Sequence, residues 1–185
     1  DILAVNRLDL NATSSIEYKN AQLVSEYGDI RTGSAQFDNA QLNFTGLSLI
    51  ADQAGFNQVT AQINSADFSF GNLKSTDFSL NADRVELNAT AWIDSHSQFN
   101  INSYKVQADS ASLENSGWVF GYGDLEFSEL SLTDSRMYSL ENTISSGSLS
   151  LAGSQLLSDQ LIITSDSILT QSSQLQGQLL NLTAD

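Results

Sequence analysis

One short pattern returns along this chain: two large apolar residues around a polar one, then as a rule a polar residue, alanine, and aspartate or threonine. It reads Leu8-Asp9-Leu10-Asn11-Ala12-Thr13, Leu47-Ser48-Leu49-Ile50-Ala51-Asp52, Phe78-Ser79-Leu80-Asn81-Ala82-Asp83 and Val85-Glu86-Leu87-Asn88-Ala89-Thr90. Further copies begin at Tyr104 and Leu180, and looser ones at Leu130, Leu149 and Leu161. The starts lie 39 residues apart from Leu8 to Leu47, and 19 apart from Val85 to Tyr104, Leu130 to Leu149 and Leu161 to Leu180. A fixed period of this length is the signature of a repeat architecture. Two steps break it, seven residues from Phe78 to Val85 and 12 from Leu149 to Leu161, so strands within one turn share the motif.

Each copy alternates apolar and polar residues, which places its large side chains on one face of a strand. The breaks between copies, such as Ser65-Ala66-Asp67, Ser145-Ser146-Gly147 and Gln171-Ser172-Ser173, are too brief for helical crossovers. A helical pattern between Thr133 and Asn142 reads equally well as a corner. Hairpin turns of the Asn-Gly type do not recur, and the chain has no proline. The reading is an all-β fold, a parallel β-helix or β-solenoid with coils of roughly 19–20 residues. Residues 1–185 form one solenoid domain on this reading, with about nine coils making a rod on the order of 40 Å long.

Charge and composition narrow the function. Twenty-two Asp and Glu against seven Lys and Arg give a net charge of −15, which argues against a nucleic-acid partner. The 41% hydrophobic content is enough for a core. With no cysteine and one histidine, His96, thiolate chemistry and His-clustered zinc sites drop out. The acidic residues do not form a calcium-loop motif, so neither metal nor cofactor is expected. No apolar run is long enough for a membrane-spanning helix. The first residues lack the charged and apolar regions of a signal peptide, which suggests a processed protein or a piece of a longer one. The cysteine-free, acidic, Ser-, Asn- and Gln-rich composition favours a bacterial envelope or exterior location.

The stretches from Gly147 to Asp159, Leu161-Ile162-Ile163-Thr164 and Ser173 to Asp185 resemble the repeats of filamentous haemagglutinin-like exoproteins of two-partner secretion systems. That resemblance implies a right-handed β-helix serving as an adhesin or toxin-delivery stalk. Phe68-Ser69-Phe70-Gly71-Asn72-Leu73, the Phe78 copy and Ala108 to Leu113 also look like the AsmA-like and TamB-like β-groove proteins of Gram-negative envelopes. This second resemblance implies an open, apolar-lined trough for lipid in the periplasm. A closed coil needs corners about every five to seven residues, and the short segments here favour closure over a trough.

Candidate side chains are few. Asp52, Asp83, Asp109, Asp166 and Asp185 end copies of the motif and are read as solvated corners. Gly117 to Asp124 is the densest aromatic stretch, and strict alternation puts Trp118, Phe120 and Tyr122 on one strand face with Val119 on the other. Such a face, bordered by Asp124, Glu126 and Glu129, could stack on a sugar ring, or could instead fill a wide coil. Trp92, close to Asp94 and His96, invites the same thought. The carboxylates carry no spacing that identifies a glycoside hydrolase, and no Arg or Lys follows Arg136 to serve a lyase. The expectation is therefore a non-enzymatic structural or adhesive segment of a bacterial secreted or cell-surface protein. Its partners would be a host or neighbouring-cell receptor, or further solenoid coils through end-to-end self-association. Lipid transport is the alternative, and carbohydrate binding a third reading.

Overall fold

Parallel strands cannot be joined by two residues if they are straight: a 17-residue strand ends about 56 Å from its start, and the chain must travel back. In the computed structural model, which describes residues 2–184, this conflict is resolved by wrapping each strand around the axis. The strands are β1 (Ile2–Lys19), β2 (Gln22–Asp38), β3 (Gln41–Asn57), β4 (Thr60–Thr76), β5 (Ser79–Ser95), β6 (Gln98–Glu114), β7 (Gly117–Thr133), β8 (Arg136–Ala152), β9 (Gln155–Gln171) and β10 (Gln174–Ala184). They form one parallel ten-stranded sheet in sequential order, each strand returning to lie on its predecessor. The chain is a β-solenoid of about ten turns with coils of about 19 residues, as the sequence period implies. At ~4.8 Å per rung the rod is about 43 Å long. Among the described residues there is no helix, and Thr133 to Asn142 is a corner followed by the start of β8.

The bending is written in the burial pattern. In β4, buried and exposed residues alternate until Asn64-Ser65, where two outward residues follow one another, and slip again at Gly71-Asn72. Each slip reverses which residues face inward and so turns the chain around the core. Every coil thus has three flanks. The first runs over the opening residues of a strand, the second over its middle and the third over its end. The two-residue link makes the last corner, where one residue per link adopts a left-handed conformation: Asn20, Asn39, Gln58, Asp77, His96, Asn115, Asp134, Gly153 and Ser172 are spaced 19 apart. Asn, Asp and Gly are the residues that tolerate this geometry best.

Even these links stay in the ladder. Asn39 donates its N–H to Asn57, Gln58 to Thr76 and His96 to Glu114, at 2.9–3.0 Å. A backbone whose N–H groups are committed to the next coil through its corners has little room for proline, which explains the missing residue. Ser97, Ser116, Ser135 and Ser154, each the second residue of its link, extend the pattern. Each hydroxyl accepts from the backbone N–H one coil earlier, and those of Ser97, Ser135 and Ser154 donate to the carbonyl two residues back.

The motif copies serve all three flanks. Those beginning at Leu8, Leu47, Val85, Tyr104, Leu161 and Leu180 share one column of the second flank. Leu130 and Leu149 pair on the third flank, and Phe78 opens the first. The seven- and 12-residue steps are therefore moves from flank to flank. β1 alone carries an extra residue, with its register shifting between Ala12 and Ser15. Inside, Tyr18, Phe37 and Phe56 stack in one column at 5.7 and 5.3 Å, and Phe56 stacks on Phe78 at 4.7 Å.

Candidate functional site

The aromatic stretch on β7 is divided by a corner. Trp118 and Phe120 are each 3% exposed and belong to the core, while Val119 between them is 51% exposed. The alternation slips at Gly121-Tyr122, so Tyr122 points outward, 54% exposed. The expected face of Trp118, Phe120 and Tyr122 is thus corrected: Tyr122 shares the outer surface with Val119, and the other two rings lie inside. Trp118 stacks on Trp92 at 5.2 Å and meets Phe99 edge-on at 5.3 Å. Asp124, Glu126 and Glu129 are exposed on the second flank and its corner and do not border the two buried rings. The Trp118 Nε1 and the Ser139 hydroxyl are buried without a hydrogen-bond partner.

A polar centre interrupts the core beside these rings. The column that holds Tyr18, Phe37 and Phe56 continues through Ser75 and Asp94 to Leu113. Asp94 is 1% exposed. Its Oδ1 accepts from the Ser75 hydroxyl and its Oδ2 from Ser116 at 2.5 Å, while Trp92 Nε1 donates to Ser75 Oγ at 3.1 Å. Burial pushes the Asp94 carboxyl above its ordinary range, opposed by hydrogen bonds from Ser116, Ser75 and Ser97. The sequence places Trp92, Asp94 and His96 close together, but alternation puts Trp92 and Asp94 inside and leaves His96 exposed at the link. No period marks this centre, because Ser75 and Asp94 stand in a column that the neighbouring coils fill with Phe37, Phe56, Leu113 and Leu132.

A second buried contact spans two coils. Tyr104 Oη donates to Asn142 Oδ1 at 2.7 Å, from β6 to β8. Between them in the register stands Gly123, where a Cβ would fall 2.1 Å from the Tyr104 carbonyl oxygen and 2.8 Å from its Cγ. Glycine leaves the passage for the ring. Burial, with a smaller contribution from the Asp124 charge, raises the Tyr104 hydroxyl far above its ordinary pKa. It therefore stays a neutral donor.

The interior leaves little room for anything else: a void of about 30 Å³ lies among Phe56, Phe78, Trp92, Phe99 and Trp118. Outside, the side chains stand in columns. Asp52, Asp109 and Asp166 are exposed at the second corner and Asp83 at the first, whereas Asp185 lies outside the described residues. The left-handed turns belong to other residues, including Asp77 and Asp134. On the second flank Arg7, Arg31 and Arg84 pair with Asp9, Asp29 and Glu86 on their own strands at 2.7–3.2 Å. Such exposed pairs contribute little to stability. A shallow depression of about 510 Å³ on the third flank is lined by Gln36, Gly55, Lys74 and Ile93 among others. Among the described residues, no group of three or more His, Asp or Glu is placed to hold a metal ion. No protein-family model, curated protein or solved structure matches this chain.

Proposed function

We propose that this chain is a structural and adhesive solenoid segment of a bacterial secreted or cell-surface protein, a rigid stalk that presents contacts along its length. The observation that carries the reading is the division of labour in the inner coils, β2 to β9. Apolar side chains from three flanks fill the axis, and the outward side chains form straight columns on an extended surface. A filled axis suits a spacer that transmits force or holds a contact at a distance, and supports a stalk over a lipid conduit. The buried Asp94 and Tyr104 groups serve the interior of the rod, since neither reaches solvent. Polar columns on flat sheet faces suit many weak contacts better than one deep ligand site.

Beads coated with the purified chain, presented to bacterial and animal cells, test this directly. Adhesion above albumin-coated controls, with no bound lipid in native mass spectrometry of the same preparation, is the expected result. Beads that adhere no better than controls would remove the adhesive role, and a stoichiometric lipid would replace the stalk with a carrier.

A further inference from the structure

The outward side chains of the first flank are those at the first and third residues of β2–β10. Among the described residues, this flank contains no carboxylate, although the chain carries 22 of them. Its one charge is Arg136. Asn43, Gln62, Asn81 and Asn100 form a column of amides, with side-chain hydrogen bonds from Asn81 to Gln62 at 3.2 Å and from Asn100 to Asn81 at 3.3 Å. The same column then turns apolar through Val119, Tyr138 and Leu157. Val119 is 51% and Tyr138 49% exposed, and Leu140 at the adjoining corner is 37% exposed. Carboxylates resume at that corner, with Glu26, Asp83 and Asp159, and at the link, with Asp77 and Asp134.

We propose that this flank is a lateral interface between two copies of the chain. Two molecules of charge −15 repel, and an approach through the second flank would set rows of Asp and Glu against each other. The first flank is where they can meet without facing carboxylates. Its footprint, about 43 Å by about 13 Å, would bury on the order of 1,100 Å² in total, near the lower bound for a specific interface. The pairing is isologous and closes at two copies, unlike end-on stacking, which is open-ended. Amides satisfy one another across the contact, and the Val119, Tyr138 and Leu157 segment supplies its apolar centre. This inference is independent of whether the rod adheres to cells.

Sedimentation equilibrium from micromolar to near-millimolar protein tests it. The mass should rise from 20.0 kDa to twice that value and stop there, and added salt should strengthen the pairing by screening the repulsion. Tyr138→Glu, and the gentler Asn81→Asp, should each weaken the dimer, the former at least ~10-fold. Ile93→Glu on the third flank should not. Circular dichroism of each variant confirms that the rod remains folded. A monomer at every concentration, pairing indifferent to Tyr138→Glu, or growth beyond two copies would overturn the proposal. A monomer that instead binds a glycan through Tyr138 would assign the flank to sugar.

Discussion

Tyr104 and Asn142 meet across an intervening coil, hydroxyl to amide oxygen at 2.7 Å, because the residue between them is Gly123. The contact fastens three successive rungs with one side chain. Gly123→Ala should destabilise the rod by about 1–3 kcal/mol through overpacking, and Tyr104→Phe by a similar amount by leaving a buried acceptor without its donor. Urea midpoints of both variants check this. A Gly123→Ala protein as stable as the parent would show that the ring has another way through.

Asp94 gives the chain an acid-favoured component of stability. Its folded pKa is raised, so the folded state holds the proton more tightly than the unfolded state does. The contribution is fully present below the unfolded value of about 3.9 and is lost as the pH rises through the folded value. Asp94→Asn keeps a polar group in place and removes this dependence. Thermal midpoints across the acid-to-neutral range should show the variant gaining on the parent as the pH rises. The opposite trend would mean that the hydrogen bonds from Ser75 and Ser116 outweigh burial.

Gln58 occupies a left-handed link position with φ of 53°, where Gly153 serves in a later coil. Gln58→Gly should therefore stabilise by about 0.5–1 kcal/mol, and Gly153→Val should destabilise. The backbone bond from Gln58 N–H to the Thr76 carbonyl survives the first change. Differential scanning calorimetry of the two variants gives opposite signs if the corner strain is real.

Trp118 and Tyr122, both on β7, should respond very differently to truncation. Trp118→Ala removes a ring packed on Trp92 and Phe99 and should cost about 3–5 kcal/mol. Tyr122→Ala changes an exposed corner and should stay within about 0.5 kcal/mol. Chemical denaturation of the pair separates core from surface without any ligand.

The period of the coil was legible because the Leu-x-Leu motif repeats where three flanks need the same half-buried strand. The corners were harder to read. A phase slip such as Gly121-Tyr122 looks like continued alternation in sequence, which sets Tyr122 beside Trp118 and Phe120. The left-handed positions were hidden for another reason: Gln58, His96 and Ser172 share a conformation but no chemistry. Asp94 could not be found from pattern at all, since its partners Ser75 and Ser116 lie 19 and 22 residues away and become neighbours only once the turns stack. The absence of carboxylates among the described residues of the first flank likewise emerges only when residues 19 apart are aligned as columns.

Backbone pairing joins each strand only to the strands directly before and after it. Excising one complete turn, for example residues 117–135, would leave Ser116 leading into Arg136 with the link pattern intact and a single new seam to heal. The molecule's reach can thus be lengthened or trimmed in increments of about 4.8 Å while its girth stays constant. Evolution or an engineer can set how far such a rod extends by counting turns, without redesigning a fold.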